Sequence, residues 1–292
     1  MNAKYNIKRK MRNWEEKFFY CLMMASVLLI SFILITIIYS IVKKGLPSLS
    51  WEMISQTPKG GYYFGKEGGI LNSIIGSIYL SLFAVILAFI VGFPATLFLN
   101  IHLAKRKRIA STIRFLLDLL WGVPSIVYGA FGFSIMVFFG LHTSLLAGII
   151  IVALLILPIM IRSMDEVIKE VPRELTESAL SLGSTNSEIG YKIMFRQCVP
   201  GIITAILLSL GRGIGDAASV LFTTGFTDNI PTSLTQPVAT LPLSIFFQMS
   251  SPIEEVKNRA YASALILLLI ILVISILSRL FSVKYEKNKV KG

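Results

Sequence analysis

The sequence of 292 residues is too apolar for an ordinary soluble domain: 54% of the residues are hydrophobic, 15% are charged and the mean hydropathy is +0.74. Soluble domains carry about a quarter charged residues, so the composition predicts a membrane protein. The net charge of +12 does not indicate nucleic-acid binding, because the cations lie in short segments between long apolar runs. Cys21 and Cys198 lie in or beside apolar runs, which favours neither a disulfide framework nor a metal site.

Long apolar runs predict six membrane-spanning helices and therefore an all-α, polytopic membrane protein. A helix needs about 20 apolar residues to cross a bilayer. The runs comprise residues 18–42, 68–101, 119–161, 197–226 and 260–278. The run at 119–161 is long enough for two spans, and we expect a hinge near residues 140–143. The first run does not resemble a signal peptide, since its apolar core is too long and no small-residue cleavage site follows.

Lysine and arginine residues predict the orientation of these spans. The segments on one side of the membrane hold twenty-one of them, and the segments on the other side hold six. Because positively charged segments tend to stay in the cytoplasm, both termini are predicted to be cytoplasmic. The predicted parts are a basic N-terminus (1–17), a first transmembrane helix (18–42), an extracytoplasmic loop (43–67), a core of five spans (68–282) that includes a cytoplasmic loop (162–199), and a basic cytoplasmic tail (283–292).

Both long outer segments are rich in turn-forming residues. Residues 43–67 combine glycines and prolines with aromatic side chains, which is typical of a surface loop that meets an extracytoplasmic partner or of a simple aromatic belt. Residues 223–259 hold four prolines and many hydroxyls. We expect them to form a non-helical or short-helical cap over the outer mouth.

Two of the spans contain residues that are unusual in a membrane helix. Small residues at Ser73, Gly76, Ser77 and Ser81 of the second span favour close packing. The third span carries four candidate residues that either line a pathway or only kink a packing helix, because a proline inside a span frees backbone groups that need partners. These candidates are Asp118, Pro124, Ser125 and Tyr128.

The fifth span holds an ionisable pair deep in the membrane. Arg212 and Asp216 are four residues apart, a spacing at which an ion pair can form on a helix. An arginine in a membrane usually faces the bundle interior or a polar cavity. Gly213 and Gly215 leave bare backbone beside it. The sequence therefore allows two interpretations: Arg212 lines the route of an anion with Asp216 as its counter-ion, or the pair is a buried structural salt bridge.

A polar stretch at residues 172–200 predicts a cytoplasmic helix, a glycine turn and a second helix. Pro172 suits the start of a helix and Gly183 suits its end. Leu175, Ala179 and Leu182 share one face. The stretch is either a docking surface for another protein or an ordinary solvated loop. The candidate docking residues are Arg173, Glu174, Leu175, Glu177, Ala179, Leu182, Gly183, the capping pair Thr185 and Glu188, Ile189 and Ile193.

The spacing of Glu177, Ala179, Gly183 and Ile193 resembles the Glu-Ala-Ala…Gly…Ile-x-Leu-Pro loop of ATP-binding-cassette importer permeases. In that family the loop docks the membrane subunit onto a separate ATPase. The chain departs from the family pattern at Ser178, Phe195 and Arg196. The resemblance implies that residues 172–196 couple this chain to an ATPase.

Several further stretches, in order and at matching spacing over residues 68–280, resemble phosphate importer permeases of the PstA type. They are residues 69–77, 122–129, 157–162, 212–217, 224–227 and 231–238. The resemblance implies a MetI-like permease fold in the cytoplasmic membrane and three kinds of protein partner: a PstC-like second permease, two copies of a PstB-like ATPase and an extracytoplasmic PstS-like phosphate-binding protein. It also implies that ATP and magnesium are used by the ATPase, with no cofactor bound by this chain. The family usually has glutamate at the position of Asp216.

The sequence leaves competing functions open. An importer of another oxyanion, such as phosphonate, sulfate or molybdate, fits the same features. A membrane-embedded enzyme is not favoured, because the sequence has no nucleophile, metal or acid–base constellation. A passive anion channel is disfavoured by the docking loop. The sequence has no Gly-x-x-x-x-Gly-Lys-Ser/Thr phosphate loop, so ATP hydrolysis by that route would require a partner.

Overall fold

A computed structural model describes residues 2–59 and 68–286, with side chains from residue 14 onwards except those of Arg173 and of residues beyond Phe281. The predicted aromatic residues at 62–64, the tail beyond 286 and the side chains of the basic N-terminal segment up to residue 13 lie outside the described part. The described chain is helical, apart from turns, irregular segments and one isolated bridge between Pro58 and Gly68. The helices are α1 (Asn2–Gly45), α2 (Trp51–Ser55), α3 (Leu71–Ile101), α4 (Lys107–Gly122), α5 (Ser125–Phe138), α6 (Leu145–Lys169), α7 (Arg173–Ser181), α8 (Asn186–Glu188), α9 (Phe195–Ile214), α10 (Leu241–Met249) and α11 (Glu254–Glu286).

Six spans are present when one bent pair of helices is counted as a single span, which confirms the all-α, six-helix prediction. Five segments of the described chain are long and apolar enough to cross a membrane: Trp14–Ser48, Leu71–Ile101, Leu145–Lys169, Asn186–Ile214 and Glu254–Phe281. The sixth consists of α4 and α5, which meet at an angle of 94°. Since α5 has 14 residues, it is only about 21 Å long and is shorter than a bilayer core.

The apolar core lies between α3, α6 and α9. Leu80 of α3, together with Val152, Ile156 and Met160 of α6, is almost completely buried there. Helix α6 is the most enclosed of the described spans, whereas no residue in the membrane-crossing part of α1 is buried in this chain, and α1 packs mainly along α11. Apolar side chains exposed on such helices are suited to lipid or to another membrane subunit.

The hinge between the third and fourth spans is where the sequence predicts it. Helix α5 ends at Phe138, Gly140 has a positive φ of 65°, and Ser144 caps α6 by accepting a hydrogen bond from the Ala147 amide. A positive φ is readily adopted by glycine because it lacks a Cβ atom.

The segment predicted at residues 223–259 is irregular backbone up to residue 240, followed by the short helix α10 and the start of α11. We call residues 215–240 together with α10 the outer cap, after the side on which the sequence predicts it. It packs against the second span: the Asn72 side-chain amide donates to the Thr227 carbonyl at 2.7 Å, and the Leu241 amide donates to the Ser77 hydroxyl at 2.7 Å. The backbone of Ala239 lies directly against Gly76. The small residues of the second span therefore make room for this cap and for α10.

Candidate functional site

Arg212 lies in the last turn of α9, where the helical part of the fifth span stops. Helix α9 ends at Ile214, and Gly215 follows as the capping residue with φ −91° and ψ −5°. Glycines at 211, 213 and 215 lower the helix propensity of this turn, which favours an end here. The guanidinium of Arg212 is exposed in this chain. A cation at the C-terminal end of a helix also interacts favourably with the helix dipole.

The predicted ion pair between Arg212 and Asp216 does not form among the described residues, and the expectation of a helical i,i+4 pair is wrong. Because the helix stops at Ile214, Asp216 is no longer one turn along the same helical face. Its carboxylate instead accepts a hydrogen bond from the Ser219 amide at 2.8 Å and closes the turn that follows α9. In the described part of this chain, Arg212 forms no ion pair with a carboxylate.

The glycines beside Arg212 have different surroundings. An added Cβ on Gly213 would lie 3.2 Å from Val152 of α6, so Gly213 permits close helix packing. Gly215 is exposed, and an added Cβ there would lie 3.9 Å from Ile271 of α11. Gly213 thus packs against α6, and Gly215 is the glycine that leaves backbone open next to Arg212.

Three of the four residues predicted at the third span, Pro124, Ser125 and Tyr128, lie at its break, whereas Asp118 lies within α4. Val123 and Pro124 have ψ values of 129° and 137°, outside the helical range. For Val123 the reason is the following proline, which disfavours helical backbone at the residue before it. Ser125 begins α5, and the hydroxyl of Tyr128 donates to the Leu120 carbonyl at 2.9 Å across the break. This bond gives a partner to a backbone group at the end of α4. The structure places these residues at a bend, and a role in lining a pathway stays a prediction.

Helix α5 contacts the turn that follows Arg212. An added Cβ on Gly129 would lie 2.7 Å from the carbonyl oxygen of Ser219 and 2.9 Å from that of Ala218. Only a glycine allows this approach, since real Cβ atoms do not come so close to a carbonyl oxygen. The broken third span is therefore in direct contact with the segment that carries Asp216.

The predicted cytoplasmic helix, turn and helix are present. Helix α7 is followed by Gly183 with φ 84°, whose amide donates to the Leu180 carbonyl, while the Ser184 amide donates to the Ala179 carbonyl. This is the paired hydrogen-bond pattern of a glycine-terminated helix. The capping box also forms, because Glu188 and Thr185 each accept a hydrogen bond from the other's backbone amide.

The second of these helices is continuous with the fifth span. The sequence predicts otherwise, namely a separate helix followed by a span that starts at residue 197. A π-helical turn at Ile189–Met194 joins α8 to α9, and the Phe195 amide donates to the carbonyl of Gly190, five residues back. Gly190 packs against Ile101 of α3. Movement of α8 would therefore act directly on α9, which carries Arg212.

The candidate docking residues divide into two groups. Ala179 and Ile189 are buried at 6% and 1% exposure, and Leu175 and Ile193 are partly buried, so these side chains pack inside the chain. Leu182, by contrast, is 87% exposed, and Glu174 and Glu177 are exposed as well. Arg173 begins α7, but its side chain lies outside the described part. The side chains of Leu182, Glu174 and Glu177 are therefore accessible to a protein partner, whereas those of the first group are not.

An ionic network lies where α3, α4 and α6 meet, close to the end of α6 that precedes α7. Its centre is Asp165 of α6, which is fully buried. Both carboxylate oxygens bind the guanidinium of Arg114 in α4 at 2.9 Å, and they also bind Arg162 at 2.9 Å, Lys169 at 2.7 Å and the side-chain amide of Asn100 in α3 at 2.9 Å. Arg162 in turn binds Asp118 of α4 at 2.6 Å.

Comparison with known proteins gives the family. The model of the family described as binding-protein-dependent transport system inner membrane component matches residues 92–287. The "Phosphate transport system permease protein PstA" of Yersinia pestis is 36% identical over 283 residues, which are 95% of this chain and 94% of that protein. The chain belongs to the PstA group of this transport family. The Haemophilus influenzae protein of the same name is 32% identical and covers 96% of the chain, with 98% of its own length matched.

Solved structures support the fold expected of a PstA-type permease. An inward-facing MetNI methionine ABC transporter matches with a TM-score of 0.59 and 18% identity, over 73% of this chain and 94% of that one. An amino acid ABC transporter with histidines matches with a TM-score of 0.56 and 18% identity, over 74% of this chain and 93% of that chain. At this identity the likeness concerns the fold, and it confirms the predicted MetI-like architecture of a multi-pass inner membrane protein.

Sequence reasoning did not find the Asp165 network, although part of its signal is local. Asp165 lies three residues after Arg162 and four before Lys169, a spacing that places all three on one helix face. The contributions of Arg114 and Asn100 come from other helices and depend on the tertiary fold. Asp118, interpreted as a pathway or kink candidate, lies in this network at 47% side-chain exposure.

Proposed function

We propose that this chain is the membrane-spanning subunit of an ATP-driven importer that carries inorganic phosphate across the cytoplasmic membrane. The observation that carries the proposal is the likeness to proteins named PstA over more than nine-tenths of both chains. The structure supports it with a six-span fold in which one membrane helix stops at an exposed arginine. Broken membrane helices are a common feature of transporter substrate sites.

Arg212 is the residue proposed to meet the anion. A guanidinium offers several hydrogen-bond donors in a planar fork, which suits an oxyanion. Gly213 allows α9 to pack tightly on α6, and the bare backbone of Gly215 allows a ligand to approach beside Arg212. Asp216 shapes the turn after the helix, so the anion does not compete with a built-in carboxylate for the guanidinium. The bend at Pro124, Ser125 and Tyr128 holds α5 against this turn.

Coupling to ATP is proposed to occur through α7 and α8. The side chains of Glu174, Glu177 and Leu182 would contact the partner ATPase, while Ala179, Ile189 and Ile193 transmit the contact to the rest of the chain. Gly183 and the Thr185–Glu188 capping box fix the angle between the two helices. ATP and magnesium act in the partner subunit, and this chain contributes no ATPase site of its own.

The proposed assembly contains a PstC-like second permease, two PstB-like ATPase subunits and an extracytoplasmic PstS-like phosphate-binding protein. The outer cap at residues 215–240 and α10 form the proposed contact for the binding protein. Both termini, the loop between α6 and α9 and the basic residues 105–108 lie on the cytoplasmic side, where cations contact anionic lipid headgroups. Phosphonate, sulfate and molybdate are not favoured as substrates, because the Yersinia pestis and Haemophilus influenzae relatives are both named for phosphate.

The proposal is tested by reconstituting the complete four-component complex in liposomes and measuring uptake of radiolabelled phosphate with and without ATP. ATP-dependent uptake that excess sulfate, molybdate or methylphosphonate does not suppress is the expected result. Uptake without ATP would indicate a passive channel, and suppression by one of the competing anions would assign the chain to that anion instead.

A further inference from the structure

We propose that Asp165 is a positioning residue for transport: it ties the inner end of α6, next to the ATPase-docking helix, to α4 and thereby to the Arg212 region. The inference rests on the proposed function and extends it from the two sites to the connection between them. The claim concerns transmission of movement, and no contact of Asp165 with phosphate is implied.

The link between α6 and α4 is strong because it is buried and bidentate. Asp165 has no exposed surface, Arg114 is 23% exposed, and the guanidinium of Arg114 binds both carboxylate oxygens at 2.9 Å. Asn100 completes the arrangement by donating to Asp165 and accepting from Arg114 at 3.2 Å. Ion pairs at the surface contribute little, whereas losing one partner of a buried pair strongly perturbs the protein.

Apart from these ion pairs, α4 contacts the rest of the chain along one narrow apolar edge. One apolar edge, formed by Ala110, Ile113 and Leu117, packs against Leu99 and Ile161. Many of its other side chains are exposed, as are the four consecutive cations at residues 105–108, the last two of which begin α4. Of the packing partners of α4 in the described chain, α6 is the principal one. A displacement of the inner end of α6 would therefore be passed to α4 mainly through this edge and the ion pairs to Arg114 and Asp118.

The two ends of this connection lead to the two functional regions. On one side, Lys169 binds Asp165 at 2.7 Å and is the last residue of α6, only four positions before α7 begins at Arg173. On the other side, α4 turns through 94° into α5, whose Gly129 lies against the carbonyl of Ser219. A continuous series of contacts thus runs from the docking helix to the turn that carries Asp216.

Two ion pairs of the network join α6 to α4: Asp165 binds Arg114, and Arg162 binds Asp118. The remaining pairs, those of Asp165 with Arg162 and Lys169 and those of Glu166, stay within α6. Removing the charge of Asp165 leaves three cations around a neutral side chain, so α4 would separate from α6. Glu166 is the matched control, since it is 60% exposed and its ion pairs, to Arg162 and Lys169, stay within α6.

The experiment compares Asp165→Asn, Arg114→Gln and Glu166→Gln in the complete reconstituted complex. Two rates are measured in the same liposomes: ATP hydrolysis stimulated by the binding protein, and phosphate uptake. For Asp165→Asn and Arg114→Gln we expect hydrolysis to continue while phosphate moved per ATP falls about tenfold, and we expect Glu166→Gln to match the unmodified complex. The double variant should lose no more than either single variant, because both remove the same link.

Three outcomes would overturn the inference. Hydrolysis and uptake that fall in equal proportion would show a structural brace, as would failure of both Asp165→Asn and Arg114→Gln to assemble. Hydrolysis and uptake that both stay at the rates of the unmodified complex would show that the link does not transmit movement. Failure of the unmodified complex to carry phosphate would instead contradict the proposed function, so the two failures are distinguishable.

Discussion

Gly129 of α5 lies so close to Ser219 that an added Cβ would be 2.7 Å from its carbonyl oxygen. This contact joins the broken third span to the turn that follows Arg212. The two segments are ninety residues apart in the sequence, and the contact makes the position of one depend on the other.

Substitution of Gly129 by alanine should displace the turn at residues 216–219 and lower phosphate uptake several-fold. The added methyl group cannot be accommodated without a backbone shift, which typically costs about 1–3 kcal/mol. Uptake and thermal unfolding of the purified complex measure the two effects. Gly122→Ala is the control, because an added Cβ there meets nothing within 4 Å. Equal uptake by the two variants would show that the contact does not matter for transport.

Gly183 should tolerate asparagine better than valine. A φ of 84° costs a non-glycine residue about 1–2 kcal/mol, and asparagine pays the least. An added Cβ at Gly183 meets no neighbouring atom within 4 Å, so a difference between the variants would come from the backbone conformation and not from a clash with another residue. We expect Gly183→Val to weaken association with the ATPase, measured by co-purification, and Gly183→Asn to retain most of it. Equal association of both variants with the ATPase would remove the role assigned to this turn.

Substitutions of Leu182 and Ile189 should distinguish a side chain that contacts the ATPase from one that packs inside this chain. Leu182 is 87% exposed, so Leu182→Ser should reduce ATPase association and leave the thermal stability of the isolated chain in detergent unchanged. Ile189 is 1% exposed, so Ile189→Ser should destabilise the chain by about 2–5 kcal/mol, since a buried side chain is lost and a hydroxyl is buried. A destabilised Leu182→Ser variant would indicate that this leucine packs within the fold.

Asp216 should tolerate asparagine. Its carboxylate accepts a hydrogen bond from the Ser219 amide, and an asparagine side chain retains an acceptor oxygen at that position. Phosphate uptake should therefore change little in Asp216→Asn and fall in Asp216→Ala, which loses the acceptor. If asparagine were as harmful as alanine, the negative charge itself would be required, as the ion-pair interpretation holds.

The sequence predicts the features of this fold that depend on neighbouring residues. The hinge at Gly140, the end of α7 at Gly183 and the capping box of Thr185 with Glu188 follow from local backbone chemistry, and all three are present. The number of spans follows from the length of the apolar runs. Each of these features depends on a few neighbouring residues or on one helix, so it can be recognised without knowledge of the tertiary structure.

The features that the sequence does not predict depend on contacts between distant segments. Arg212 and Asp216 have the spacing of an ion pair, but α9 ends between them, and the turn that follows is held by Gly129 and the outer cap. The partners of Asp165 include Arg114, fifty-one residues away, and Asn100, sixty-five residues away. Such pairs become visible only once the helices are packed.

The central claim is that Arg212 serves the anion, and phosphate uptake by the reconstituted complex carrying Arg212→Gln tests it most directly. The matched control is Arg279→Gln, an exposed arginine at the far end of α11. We expect Arg212→Gln to assemble fully yet lose phosphate uptake by about tenfold or more, because the charge-assisted hydrogen bonds to the oxyanion are gone, while Arg279→Gln behaves as the unmodified chain. Normal uptake by an assembled Arg212→Gln complex would contradict the role of Arg212 in the phosphate pathway.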